Sequence, residues 1–122
     1  MGTAIRNVAF DCADPYALAN FWARVFDCPV DPEHHPDDEE VTIEPTSGPS
    51  LFFQRVPESK RGKNRVHVCL EPDGPGDDEV ERVRALGATV VADHRDPDGG
   101  GWVVLADPEG NEFCVLRGDA ER

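Results

Sequence analysis

Apolar and polar residues alternate over residues 6–11, and the spacing then changes: Leu18, Phe21, Trp22, Val25 and Phe26 recur at intervals of three and four. The first pattern has the period of a half-buried strand and the second that of one helix face. Asp14-Pro15 supplies an N-cap followed by proline at the first helical position, so a helix is predicted over 16–26, ended by Asp27-Cys28-Pro29. Residues 30–31 read as a short edge strand broken by Pro32, and 33–40 as a polar loop. Strands are predicted over 41–44 and 51–56, separated by a turn rich in Pro, Ser and Gly, with a linker over 57–64.

The same succession then restarts. Residues 65–71 read as a strand and 72–76 as a break; a helix capped by Asp77 or Asp78 runs to Leu86, where Gly87 stops it. Strands over 88–92, 102–106 and 112–117 follow, with a flexible glycine-rich loop at 96–101, a tight turn at 107–111, and a polar, frayed tail from Gly118. Each half is thus predicted as β-α-β-β-β. The halves also correspond residue by residue at an offset of 60: Val8 with Val68, Pro15 with Pro75, Arg24 with Arg84, Val30 with Val90, Phe53 with Phe113. A period this long is one supersecondary unit used twice, packed so that each half buries surface it could not bury alone.

Length and charge narrow the function. At 122 residues the chain is predicted to be a single domain, with modules of about 1–61 and 62–118. A net charge of −13 argues against a nucleic-acid partner, because that binding needs Lys and Arg to neutralise phosphates. No apolar run approaches a membrane span, and the first residues lack the basic start of a secretory signal, so a cytoplasmic location without a membrane partner is expected. Cys12, Cys28, Cys69 and Cys114 match no zinc spacing and read as reduced thiols. His34-His35 and the acidic run at 37–40 read as solvated surface.

The segment Trp102-Val-Val-Leu-Ala-Asp107-Pro-Glu-Gly-Asn111-Glu-Phe-Cys-Val-Leu116, with its Asp-Pro-x-Gly-Asn before a last strand, resembles the vicinal oxygen chelate superfamily of glyoxalase I, extradiol dioxygenases and bleomycin-resistance proteins. The opening from Asn7 to Trp22 and the wording Gln54-Arg-Val-Pro-Glu58 into Arg65-Val-His67 are similar to its glyoxalase-like branch. The resemblance implies an α+β fold of two tandem βαβββ modules. Their U-shaped, mostly antiparallel sheet would carry the helices on the convex side and the ligand in the concave face. Members often dimerise, so a homodimer is expected.

In the metal-binding members four ligands come from the first and last strands of each module, which the resemblance carries onto Asn7, Gln54, His67 and Cys114; these are also mates at the 60-residue offset. Alternation sets Asn7, Gln54, His67 and Cys114 on one face of their strands, with Val8, Phe10, Phe53 and Phe113 toward the helices. The quartet departs at three positions from the His and Glu that hold metals in those relatives. No cofactor is therefore expected; were a divalent metal present, His67, Gln54 and Cys114 would hold it. The expected function is binding of a small organic ligand, with Asn7, Gln54, His67 and Cys114 as polar contacts and Phe52 and Trp102 as stacking walls. His67 is the candidate general base. The alternative is a metal-dependent lyase, isomerase or dioxygenase with an atypical Gln54/His67/Cys114 site.

Overall fold

The computed structural model describes residues 1–117, so the tail expected to fray from Gly118 lies outside the described residues. These residues form an α+β fold of two helices and seven strands in two mixed sheets, with no closed barrel among them. The chain divides into two compact units, residues 1–60 and the remainder from Arg61. No helix among the described residues is long and apolar enough to cross a membrane.

The first unit runs β1 (Asn7–Cys12), α1 (Pro15–Phe26), β2 (Glu40–Ile43) and β3 (Ser50–Arg55). Asp14 caps α1 by accepting a hydrogen bond from the Ala17 amide at 3.1 Å, and Pro15 begins the helix where no N–H is needed. Leu18, Phe21, Trp22 and Val25 are buried, as the helical spacing predicts. Asp27 ends the helix in the left-handed conformation at φ 53°, and the Cys28 amide returns to the Ala23 carbonyl at 2.9 Å. β3 is central: β1 pairs with it in parallel and β2 antiparallel. Phe10 faces the helix side, its ring 5.5 Å from Trp22 and 5.0 Å from Phe53. The expected strand at residues 30–31 does not form, so this unit is βαββ. Pro29 and Pro32 flank the dipeptide and have no N–H to give a ladder.

The second unit runs β4 (Val68–Leu70), α2 (Gly76–Leu86), β5 (Thr89–Arg95), β6 (Gly101–Ala106) and β7 (Glu112–Leu116), in the sheet order β4-β7-β6-β5. β4 is three residues instead of the expected seven. Glu112, which would stand opposite His67, donates its backbone N–H to Asn64 Oδ1 at 3.2 Å, and the ladder stops there. The helix starts one residue before Asp77, at Gly76 with Pro75 as its cap position, because the Asp77 carboxylate is engaged by Arg117 and Arg95 instead of by the helix. β5 extends to Arg95 through a bulge between Val90 and Ala92. The glycine-rich loop forms a hydrogen-bonded turn: Asp96 donates its amide to Gly100 O at 2.9 Å and Arg117 Nη1 donates to the carbonyls of Asp96 and Gly100. Gly101 at φ +97° closes it where a Cβ would sit 2.2 Å from the His94 carbonyl oxygen.

Candidate functional site

Pairing register decides which predicted residues meet. In the second unit Cys69 on β4 stands directly opposite Cys114 on β7, and Cys114 opposite Val104 on β6. One step along the same face, Trp102 stands opposite Leu116. His67 lies two residues before Cys69, just outside β4, with its ring on that same side. The opposite face carries Phe113, Val115, Val103 and Leu105, all buried.

These exposed-face residues surround a cavity of about 240 Å³. Cys69, Val104 and Cys114 form its floor, His67 and Glu112 stand at one end, and Trp102 and Leu116 at the other. Lys63 reaches the rim and pairs with the Glu112 carboxylate. The cavity is thus mostly apolar, with an imidazole, two thiols and one ion pair as its polar content. Trp102 is 42% exposed and its ring lies 5.0 Å from that of His94. His67 and Cys69 are exposed, whereas Cys114 is 3% exposed. Burial, and then the neighbouring Cys69 thiol, push the Cys114 thiol up to about 11, so it is protonated at neutral pH.

His67, Cys69 and Cys114 bring their ligand atoms within 4.8 Å of one another. His67 and Cys114 were predicted as site residues; Cys69 was not, although parity placed it on the same face. Its pairing with Cys114 depends on the register of two strands more than forty residues apart, which no spacing motif encodes. Lys63 belongs to the basic cluster Lys60, Arg61, Lys63 and Arg65 at the junction of the repeats, which reads from sequence either as a solvated linker or as a patch steering an anionic small molecule.

The first unit has its own exposed row. Phe52 pairs with Ala9 and Thr42, and Gln54 with Asp11 and Glu40. Gln54 Nε2 donates to Asp11 Oδ1 at 2.8 Å. Asn7 stands opposite Ser50, so it is four strand positions from Gln54's partner, about 13 Å along the strand at the usual rise. Asn7 and Gln54 share a face without meeting. At the 60-residue offset, the counterparts of Cys69 and Cys114 are Ala9 and Gln54, which are also not paired; the first unit's register is displaced by two residues. The Phe10–Phe53 rung stacks two aromatic rings there, and the equivalent Leu70 pairs with Val115 instead. Away from both faces, His34 Nδ1 lies 3.0 Å from Asp38 Oδ2, a local pair in the acidic loop.

A family model described as a glyoxalase-like domain matches residues 7–116. Among solved structures, the chain is similar to a glyoxalase/bleomycin resistance protein/dioxygenase family enzyme from Burkholderia phytofirmans PsJN, at 20% identity and a TM-score of 0.73, covering 93% of this chain and 97% of that one. It is similar also to the fosfomycin resistance protein FosX from Listeria monocytogenes, a variant complexed with Mn(II) and a dihydroxypropylphosphonic acid: 16% identity, TM-score 0.73, covering 99% and 94%. A lactoylglutathione lyase from Agrobacterium tumefaciens matches at 24% identity and a TM-score of 0.64, covering 96% and 95%. At these identities the structural likeness shows the fold. No curated protein matches the chain at a significant level.

Proposed function

Because the chain belongs to the glyoxalase-like domain family, within the vicinal oxygen chelate superfamily, we propose that it binds a small organic molecule on the exposed face of the second unit's sheet, without an obligate metal. The observation that carries this reading is the cavity itself. An apolar floor and a half-exposed Trp102 supply contact area, while His67 and the Lys63–Glu112 pair supply a few oriented polar groups. At about 240 Å³ it falls below the roughly 300–1,000 Å³ of drug-sized sites, which points to a ligand of metabolite size. His67 is the proposed proton donor or acceptor toward it. Phe52 and Gln54 offer stacking and an amide on the first unit's own face, with Asn7 at the far end of that row.

Members of the family include ligand-binding proteins, lyases and dioxygenases, so metal-dependent chemistry is the second reading, and the Mn(II) complex of FosX favours it. The donor set here does not fit that ion. Mn(II) is satisfied by carboxylate, carbonyl and water oxygens, whereas the clustered donors are one imidazole and two thiols. A His67/Gln54/Cys114 set adds only a neutral amide, already hydrogen-bonded to Asp11. The reading extends to a cytoplasmic homodimer. No disulfide joins the four cysteines, which suits a reducing compartment, and Val90 and Val91 are exposed on the outermost strand β5, where a second copy finds apolar surface.

A thermal-shift screen of small metabolites and antibiotics, run in the presence of a chelator, tests the reading. Saturable stabilisation by at least one compound is expected, lost in Trp102→Ala and weakened in His67→Ala. Stabilisation that appears only after a metal is restored would favour the lyase or dioxygenase reading instead. Light scattering on the purified chain reads the oligomeric state.

A further inference from the structure

The proposed ligand reading uses His67 toward the ligand but gives no chemical role to the Cys69–Cys114 thiol pair beside it. We propose that His67, Cys69 and Cys114 form a binding site for a thiophilic cation of zinc's class, distinct in its donors from a hard-ion centre. The inference rests on these three side chains and not on an organic ligand occupying the cavity.

Three observations converge. First, the backbone fixes two of the donors: Cys69 and Cys114 are register partners on adjacent parallel strands, facing the same side, and the thiols interact. Second, the ligand atoms of all three residues already lie within 4.8 Å of one another. Tetrahedral zinc needs ligand atoms about 3.5–3.8 Å apart, given Zn–S near 2.3 Å and Zn–N near 2.0 Å. Closing on an ion therefore takes about an ångström of side-chain rotation. His67 and Cys69 are exposed and sit where such rotation meets no buried packing. Third, charge balances. Two thiolates and a neutral imidazole around Zn²⁺ give a net neutral centre, which the apolar neighbours Val104 and Leu116 tolerate far better than an isolated ion.

The chemistry of the set selects the ion. Thiolates favour zinc and softer cations, and a Cys₂His set with a fourth open position is an established zinc arrangement. The fourth position here opens toward the cavity that holds Trp102. On binding, both thiol protons leave to solvent and each sulfur gives an electron pair to the ion; no redox step is involved. A coordinating thiol is deprotonated outright, so binding releases protons and strengthens as the pH rises.

Co²⁺ is the probe, added to full-length, chelator-stripped protein held reduced by a phosphine. The expected result is an intense thiolate-to-cobalt charge-transfer band that saturates at equimolar metal and disappears on adding Zn²⁺. Cys69→Ser should retain one thiolate's share of that intensity, and His67→Ala should keep the band while shifting the visible ligand-field absorption. Cys69 is exposed, so its variant carries the test even if Cys114→Ser disturbs the core. Mn²⁺ should stay hydrated by its electron paramagnetic resonance spectrum. A folded wild-type chain that gives no charge-transfer band, a band unchanged in Cys69→Ser, or Mn²⁺ binding in preference to Co²⁺ would each overturn the proposal. The chelator-based ligand screen reads the organic-ligand reading separately, so the two fail independently.

Discussion

Asp107 is the one charged side chain among the buried residues described, at 4% exposure. Its Oδ1 accepts the amides of Glu109 at 2.9 Å and Asn111 at 3.0 Å, and its carboxylate also takes the Asn111 side-chain amide. The Asp-Pro-x-Gly-Asn signature that makes the family recognisable is therefore turn chemistry that starts β7 at Glu112 and so sets the position of Cys114. Asp107→Ala leaves those amides without their acceptor and should destabilise the chain by about 1–3 kcal/mol, read as a lower urea midpoint. Asp107→Asn, which keeps an acceptor oxygen, should recover part of it; equal loss in both variants would assign the effect to charge and not to the hydrogen bonds. Legibility at this scale follows range in sequence. Strand parity around Phe113 and Cys114 is local and readable. The Cys69–Cys114 rung and the separation of Asn7 from Gln54 depend on register between distant strands, and the internal repeat misleads there because the two units differ by two positions.

At the scale of elements, α1 packs through aromatic rings, whereas α2 buries only Val80 and Val83 from its apolar face and adds a charge network at its first turn. Asp77 in the first turn of α2 receives Arg117 Nε at 3.0 Å and Nη2 at 2.9 Å from beyond β7, and Arg95 Nη1 at 3.3 Å from β5. Arg117, then Arg95, hold the Asp77 carboxyl below its ordinary value, and hydrogen bonds from Arg95 hold Asp93 at about 2. A lowered folded-state pKa means that the stabilisation is present above the unfolded value, near about 3.9, and is lost as pH falls through the folded value. Solvent screens these carboxylates, so the effect is modest and weakens with salt. The gap in urea midpoint between wild type and Asp77→Asn should therefore be open at neutral pH and close as the pH falls below about 4. A gap that stays constant across that range would mean Asp77 acts through shape alone. The same network explains one boundary that propensity missed: an aspartate at a helix start reads as a cap, but here its carboxylate is turned outward to two arginines. The missing strand at residues 30–31 and the short β4 have equally specific causes, in prolines without an N–H and in an amide captured by Asn64.

At the scale of the whole molecule, the question is whether the two units stand alone. Each carries its own sheet and helix, and each presents a row with apolar content on one face: Ala9 and Phe52 in the first, Val104 and Leu116 in the second. A 60-residue unit buries only about 60% of the surface its unfolded chain exposes, which leaves little margin over conformational entropy. The net charge of −13 adds self-repulsion that a small unit is poorly placed to absorb. We infer that the two units fold as one cooperative domain, as the 60-residue repeat predicts. Calorimetry should then show a single transition whose calorimetric and van't Hoff enthalpies agree. The position of the stabilising pairs sharpens the test. Asp107→Ala and Asp77→Asn both lie in the second unit, so cooperative folding requires each, in a Trp102→Phe background, to lower the transition followed through Trp22, which is buried in the first unit. If the second unit's unfolding moved while the signal from Trp22 stayed in place, the units would be independent, and the cavity would have to be treated as the property of a half-chain.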